Sequence, residues 1–286
     1  MVLSVALLLA FAGGLSAQVT VEVLMDQNQF LPNESTPVKV RIVNNSGQTL
    51  RFGAEDWVSY SVEAAGGLIV LKTGDAPMAH DFEVRAAEMA TTQADLAPCY
   101  DITTPGRYTV TATVRIKDWD KSITSAPKKF DVVPGTRLWE QEFGVPQSPT
   151  NHNPPEVRKY ILQQATLSRH TQLYFRLTNA GESQSLRVFL IGQIISFSDP
   201  QMRVDQDSKL HLLYQTTAHV YSYTVINPDG ELVVRQTYFY ANSSPHLKVD
   251  AAGNISVVGG ARHMADNDLP PTRKSILTND IPLPVP

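Results

Sequence analysis

An internal repeat in the second half of the chain is the feature that most constrains its fold. The pattern Ser-x-Pro-x-Met-x-Val-Asp over 198–205 returns as Ser-x-Pro-x-Leu-x-Val-Asp over 243–250, and each position lies 45 residues after its counterpart. Each copy continues through a polar turn into an apolar run, Leu210 to Leu213 and Ile255 to Val258. A repeat of this length, with two or more strand-like runs inside it, is typical of stacked β-units such as propeller blades.

The first 17 residues form an apolar stretch that ends in small side chains, and a polar β-like segment follows from Gln18. Because a membrane-spanning helix needs roughly 20 apolar residues, a cleaved signal peptide over 1–17 is the better interpretation. The alternative is a buried N-terminal strand or helix. Only the terminal amine supplies positive charge, so either the signal is weak or the true start lies upstream. We expect a secreted or periplasmic protein.

Composition narrows the class of partner. Charged residues make up 18% of the chain, the formal net charge is −4, and no long run has either sign. Nucleic-acid binding needs a concentrated basic face, so we expect no such partner. The single cysteine, Cys99, cannot form an intramolecular disulfide, which favours a bacterial envelope protein over a small disulfide-rich secreted scaffold.

The region from Gln18 to about Gly135 alternates apolar and polar residues and is interrupted by turn residues. The clearest predicted strand runs from Tyr108 to Ile116, with threonines and basic residues on its other face. Such a series of short strands over 18–135 predicts an antiparallel β-sandwich.

Two stretches of this region carry a resemblance. DLAPCYDITTPGRYTVTATV over 95–114 resembles the closing strands of bacterial immunoglobulin-like modules, and VRIVNNSGQTL over 40–50 is similar to their early strand and turn. The resemblance implies an immunoglobulin-like fold over 18–135 and leaves function open. Some inhibitors of serine proteinases have a similar body, although no residue here matches an inhibitory loop.

Prolines dominate the next segment. Pro146, Pro149, Pro154 and Pro155 lie among polar residues, so 136–159 is predicted to be a linker or a strap over a surface. Leu138, Trp139 and Phe143 at its start are expected to anchor one module against the next. At the other end of the chain, 265–286 is predicted to be an extended tail.

Strand-like runs rich in β-branched and aromatic residues fill 160–264, and Asn227 to Gly230 forms a strong hairpin turn signal. A third, degraded copy of the repeat is expected from near Leu173. This layout resembles blades of secreted β-propellers, in which a Pro-x-x-x-Val-Asp-x-x-Gly segment leads into the inner strands. The predicted fold is therefore all-β, an immunoglobulin-like sandwich followed by an incomplete propeller-like half.

Closure of a propeller takes at least about four blades, and the chain offers two clear units. An open array exposes strand edges. Three solutions remain: the first module and the strap cover the edges, subunits complete one another, or a compact sheet stack shares the blade sequence. We favour the first.

Candidate metal ligands are sparse. His211, His219 and His246 lie in or beside the repeats, but no histidine pair has metal-binding spacing. His211 is expected to be a histidine within a β-sheet whose ring forms a hydrogen bond with a neighbouring carbonyl. Asp205 with Asp207, and Asp266 with Asp268, place carboxylates two residues apart as calcium loops do, yet neither loop is complete, so turn chemistry is the favoured interpretation.

Nucleophilic catalysis has little support. The sequence contains no Gly-x-Ser-x-Gly elbow, no phosphate-binding glycine loop and no dinucleotide fingerprint, and Cys99 is expected to be a buried thiol. We therefore assign no catalytic, cofactor-binding or metal-binding residue.

The sequence favours an exported, non-catalytic binding or scaffolding protein of the cell envelope, with an unknown protein or polysaccharide as its ligand and no cofactor. Two alternatives remain. One is an extracellular polymer hydrolase or lyase, which Asp205, His211 and His246 clustered around an open pocket would support. The other is a proteinase inhibitor that uses a loop of the first module.

Overall fold

The structure is a computed structural model that describes residues 19–53, 56–75, 81–146, 156–167, 169–195 and 199–270. The predicted signal peptide therefore lies outside the described residues. The fold is all-β: apart from one turn of 3-10 helix at Lys117–Trp119, every regular element of the described residues is a strand. The chain divides into two compact units between Val133 and Pro134.

The first unit contains three sheets. Their strand orders are β1-β3-β8, β2-β11-β9-β5-β6 with β10 also paired to β9, and β4-β7. The strands are β1 (Val19–Leu24), β2 (Gln29–Phe30), β3 (Pro37–Asn44), β4 (Leu50–Phe52), β5 (Val58–Ala64), β6 (Leu68–Ile69), β7 (Phe82–Val84), β8 (Glu88–Asp95), β9 (Gly106–Ile116), β10 (Lys121–Thr124) and β11 (Lys128–Val132).

The core of the first unit follows the alternation of its sequence. In β9, Tyr108, Val110, Ala112, Val114 and Ile116 are all buried, which confirms the strand predicted there. Apolar side chains of β1 and β3 join the same core. These side chains form one continuous core that holds the sheets together. Burial of each such valine or isoleucine stabilises the fold by roughly 1.5–3 kcal/mol. This arrangement fits a β-sandwich.

The second unit contains two larger sheets and a hairpin. Their strand orders are β12-β13-β14-β15, β16-β17-β18-β19-β22 and β20-β21. The strands are β12 (Thr136–Gly144), β13 (Val157–Leu167), β14 (His170–Asn179), β15 (Ser185–Gln193), β16 (Gln201–Val204), β17 (Leu210–Thr217), β18 (Val220–Ile226), β19 (Leu232–Phe239), β20 (His246–Val249), β21 (Ile255–Val258) and β22 (Ala261–His263).

The start of the predicted linker over 136–159 is instead a strand. β12 pairs antiparallel with β13 from Thr136 to Gly144. Phe143 is buried in the core of the second unit, where its ring lies 3.9 Å from that of Tyr160. The prolines that suggested a linker follow this strand, so they do not interrupt it; Pro149, Pro154 and Pro155 lie outside the described residues.

The 45-residue repeat corresponds to two hairpins of identical register. Gln201 pairs with Leu213 and Val204 with Leu210 in the first hairpin. His246 pairs with Val258 and Val249 with Ile255 in the second. Every one of these positions is displaced by 45 residues between the copies. Ser198, the first residue of the repeated pattern, lies outside the described residues.

The turns of the two hairpins are also equivalent. Oδ1 of Asp205 accepts hydrogen bonds from the backbone N–H groups of Asp207 and Lys209, at 2.9 and 2.8 Å. Oδ1 of Asp250 does the same with Ala252 and Asn254, at 2.9 and 2.8 Å. The aspartate that is shared by both copies therefore builds the same turn twice.

A third copy of this hairpin does not begin at Leu173. That residue lies inside β14, which pairs with β13 on one side and with β15 on the other. β12–β15 and β16–β19 each form a four-stranded antiparallel meander. The described residues form no closed barrel or propeller.

The second unit is built in layers. Side chains of the first meander, including Leu162 and Phe175, share a core with Leu210 and Leu212 of β17. On the opposite face of the second meander, Leu213, Tyr223 and Val225 pack against Leu247 and Val257 of the second hairpin. Alternate residues of β17 thus face different layers, because successive side chains of a strand point to opposite faces.

Candidate functional site

The residues that the sequence put forward as possible site residues are only partly brought together. Nε2 of His211 lies 3.0 Å from Oδ2 of Asp205. Asp207 turns away and accepts a hydrogen bond from Nζ of Lys209 at 2.9 Å. His246 is exposed, and its Nδ1 lies 3.3 Å from the carbonyl oxygen of Ser244. The cluster of Asp205, His211 and His246 around an open pocket, which would have supported the hydrolase alternative, is therefore not formed.

A series of hydrogen bonds between Asp205, His211 and Tyr223 forms instead. The hydroxyl of Tyr223, on β18, lies 2.7 Å from Nδ1 of His211, on β17. The expectation that His211 bonds a carbonyl was wrong. Asp205 is fixed by the N–H groups of its turn and accepts only, so His211 donates to it through Nε2–H and accepts a hydrogen bond from the Tyr223 hydroxyl at Nδ1.

The pKa values of Asp205 and Tyr223 favour a structural role for this series of hydrogen bonds. Burial alone raises the pKa of Asp205, but the hydrogen bonds from His211 and from the N–H of Lys209 outweigh it, so this pKa is lowered overall. Burial, together with Tyr238 and Asp205, raises the pKa of Tyr223 to about 12. The phenol therefore stays protonated at neutral pH and acts as a donor rather than as a base or nucleophile.

Metal coordination has no support among the described residues, where no group of three or more His, Cys, Asp or Glu side chains converges. The Asp205 carboxylate is used by its own turn and by His211. Asp268 is buried and forms an ion pair of 2.7 Å with Arg262. Within the same described ranges, no helix is long and apolar enough to cross a membrane.

A polar cavity lies on the opposite face of the second meander from His211. Its volume is about 390 Å³ and it is open to solvent. The strand register places Ser222 opposite both Tyr214 and Thr237, and Thr224 opposite Arg235, so these side chains share one face of β17–β19. Residues of β15 form the other wall. The lining residues are Ile191, Gly192, Gln193, Tyr214, Thr216, Thr217, Val220, Tyr221, Ser222, Arg235, Thr237 and Asn267.

Arg235 is the one charged side chain among these lining residues. It is half-buried, and its guanidinium makes no hydrogen bond or ion pair with any side chain in the described ranges. Burial raises the pKa of the neighbouring Tyr214, while Ser222 and the positive charge of Arg235 partly oppose that shift. A guanidinium that faces hydroxyl and amide groups without a carboxylate partner is available to an anionic ligand.

Gly192 allows the two walls of this cavity to approach. A Cβ atom at this position would lie 2.7 Å from the hydroxyl oxygen of Tyr214 and 3.6 Å from its Cζ. The first distance is too short for any real contact. A glycine is therefore needed wherever Tyr214 keeps its hydroxyl at the cavity wall.

Part of the predicted tail over 265–286 belongs to this cavity. The N–H of Arg235 donates to the carbonyl of Leu269 at 2.8 Å, and the N–H of Leu269 donates back at 3.0 Å. This pairing fixes the segment that carries Asn267 on the cavity wall. Residues 271–286 lie outside the described residues.

Sequence reasoning missed Arg235, Tyr214 and Gly192. A weak signal was present, because Arg235 and Thr237 occupy the polar positions of an alternating strand, as do Ser222 and Thr224 of the preceding strand. The alternation shows that these residues share a face, but it does not show that β15 covers that face.

Comparison with protein-family models gives no match for this sequence. Comparison with curated proteins gives none either. Among solved structures, the sporulation control protein Spo0M from Bacillus subtilis matches with 11% sequence identity and a TM-score of 0.24, over 61% of this chain and 91% of that chain. A likeness at this TM-score transfers neither a fold nor a function to this chain.

Proposed function

We propose that this chain is an exported, non-catalytic binding protein of the cell envelope or extracellular space, and that the cavity beside Arg235 is its ligand site. The observation that carries the proposal is the unpaired guanidinium of Arg235 inside a solvent-open, otherwise uncharged cavity. A partly buried charge without a counter-ion costs stability, so a ligand that supplies the counter-ion is bound favourably.

The remaining lining groups define the chemistry of the ligand. Hydroxyl groups of Tyr214, Ser222 and Thr237 both donate and accept hydrogen bonds, and the amides of Gln193 and Asn267 do so as well. These groups suit a ligand with several hydroxyls, while Arg235 suits a carboxylate. An acidic sugar unit of an extracellular polysaccharide has both features.

The hydrolase alternative is less well supported. None of Asp205, His211 and Tyr223 lines this cavity, and they lie on the other face of the second meander. A hydrolase that uses two carboxylates needs both of them at the bound substrate, and the lining contains none.

The proposal also includes the finer architecture, an immunoglobulin-like first unit and an open, propeller-like second unit. An immunoglobulin-like first unit is supported by sheets that share one core and by the residues of 95–114 that resemble such modules. An open, propeller-like second unit is supported by two successive four-stranded meanders and by a further hairpin with the same register as the second meander's first hairpin.

The test of the site is calorimetric titration with trigalacturonic acid. We expect the acidic trimer to bind and Arg235→Ala to weaken it by about tenfold or more. Arg203→Ala, which removes one exposed positive charge from β16, is the matched control and should leave binding unchanged. Equal losses in the two variants, or no binding of the acidic trimer, would refute the site.

The test of export is expression of the full chain in a Gram-negative bacterium, followed by fractionation and intact-mass measurement. We expect a periplasmic or secreted product that begins at Gln18. A product that keeps residues 1–17 and stays in the cytoplasm would overturn the proposed location.

A further inference from the structure

A second cavity, which the proposed function does not use, lies within the first unit. Its volume is about 430 Å³, and it is formed where the ends of β4 and β7 meet the end of β9 and the 3-10 turn. The residues that line it are aromatic or charged, apart from one glycine: Arg51, Phe52, Gly53, Trp57, Asp81, Phe82, Glu83, Arg115, Lys117 and Asp118.

Three aromatic rings form its apolar wall. The ring centroids of Phe52 and Phe82 are 5.4 Å apart, those of Phe52 and Trp57 are 5.6 Å apart, and those of Trp57 and Phe82 are 5.2 Å apart. Phe52 and Trp57 are buried, whereas Phe82 is half-buried and gives the wall its accessible ring. An aromatic ring that a ligand can reach favours stacking with another flat or ring-shaped group.

Trp57 contains a donor without a partner. The residue is 2% exposed, and its indole Nε1–H has no acceptor within the described part of the chain. A buried N–H that lacks an acceptor destabilises the fold, so such groups in native proteins commonly meet an ordered water or a ligand. This donor belongs to a residue of the cavity wall.

The rim is charged but balanced. It contains three basic side chains, Arg51, Arg115 and Lys117, and three acidic ones, Asp81, Glu83 and Asp118. Arg51 and Glu83 are paired at 3.0 Å. All six residues are exposed, so both donors and acceptors surround the opening with no net charge.

Gly53 holds the acidic side of this rim in place. Its φ is +114°, and a Cβ there would collide with Cα of Asp81. Only glycine allows this close approach of the two backbones, which places Asp81 beside the aromatic wall.

We infer that this cavity is a second binding site, for one neutral sugar ring. A pyranose has an apolar face of C–H groups that stacks on an aromatic ring, and its hydroxyls need donors and acceptors at its edge. The rim supplies both, whereas its balanced charge gives no advantage to an ion of either sign. This site is independent of Arg235, because its residues all belong to the first unit.

The test is calorimetric titration of the full chain with the β-1,4-linked tetramers of glucose and of N-acetylglucosamine. We expect at least one to bind, and Phe82→Ala to weaken that binding by about tenfold or more. Since Phe82 packs against other core rings, Asp118→Ala is a second variant at an exposed position and should weaken binding without lowering the thermal unfolding temperature. Tyr240→Ala removes an exposed aromatic ring of the second unit and should change nothing.

Fluorescence separates the two sites. Arg235→Ala should bind the neutral tetramer as the wild type does, with the same change in tryptophan emission, and Trp57→Phe should lose that change. No binding of either tetramer, or binding that Phe82→Ala and Asp118→Ala leave intact, would overturn the inference. So would binding of N-acetyl-phenylalaninamide in place of the sugars, because the cavity would then accept an apolar peptide side chain.

Discussion

The hydroxyl of Tyr223 lies 2.7 Å from Nδ1 of His211 and joins neighbouring strands inside an otherwise apolar layer. Both residues are 8% exposed, so neither can exchange this partner for bulk water. The Asp205 carboxylate sets the tautomer of His211, and the same aspartate forms the first repeated turn. One imidazole thus connects the first repeated turn to a side chain of the neighbouring strand β18.

Tyr223→Phe should destabilise the protein by about 1–2 kcal/mol, because it leaves the buried Nδ1 of His211 without a donor. Urea unfolding monitored by circular dichroism gives the free energy of unfolding. Tyr221→Phe, which removes a half-buried hydroxyl two residues earlier on the same face of β18, is the matched control and should lie within about 0.5 kcal/mol of the wild type. Equal losses in the two variants would contradict the role of the hydrogen bond.

The free energy of unfolding at alkaline pH should depend on Tyr223. Its pKa in the folded protein is raised from 10.0 to about 12, so its contribution is complete below pH 10 and is lost as the pH rises from about 10 to about 12. The free energy of unfolding of Tyr223→Phe should therefore fall less steeply in this window than that of the wild type. Parallel curves for the two proteins would refute the assignment.

Asp205→Ala should cost more stability than Asp250→Ala, although both remove the aspartate of an equivalent turn. Asp205 additionally holds His211, whereas Asp250 is exposed and bonds only its own turn, including Nδ2 of Asn254 at 2.9 Å. The loss for Asp205→Ala should be about 2 kcal/mol, measured by urea unfolding at pH 7. Equal losses would mean that the turn alone accounts for the effect.

Asp205 should also affect how the free energy of unfolding changes at acid pH. The pKa of Asp205 is lowered in the folded protein, so its contribution is complete above its unfolded pKa and is lost as the pH falls through the folded value. Asp205→Ala should therefore flatten the decline of stability below about pH 4. Unfolding free energies measured in steps between neutral pH and pH 2 would show this, and an unchanged slope would contradict it.

Gly192→Ala should destabilise the protein by about 1–3 kcal/mol, because the new Cβ collides with the hydroxyl of Tyr214. Tyr214→Phe removes the colliding atom and leaves the ring carbons at ordinary contact distance. The double variant should therefore be more stable than Gly192→Ala alone, with a coupling energy of about 0.5–3 kcal/mol in a urea-based cycle. Additive effects would place the strain elsewhere.

Cys99 should be inert in the folded protein. It is 2% exposed, and burial, together with the charge of Asp95, raises the pKa of its thiol. We expect a thiol reagent at pH 8 to label it at least about 100-fold more slowly than in urea. Rapid labelling without denaturant would contradict the packing of β-strands around this residue.

The sequence correctly predicted features that depend on a single strand or a single turn. The alternation from Tyr108 to Ile116 predicted a half-buried strand, and the spacing of Asp205 and Asp250 predicted equivalent turns. It wrongly predicted a linker at Thr136–Gly144, because prolines lie nearby, whereas these residues form a strand that pairs with β13. Strand pairing is decided by a partner about 20 residues away, which local composition does not encode.

The amino-acid pattern by itself determined an all-β chain and a hairpin used twice, because side-chain period and turn preferences act over a few residues. Only the tertiary structure decided that His211 meets Tyr223, that Arg235 faces Gly192 across a cavity, and that Phe82 stands against Trp57. These contacts depend on which face of one strand packs against another. That choice is made by burial of the whole core, so no short stretch of sequence contains it.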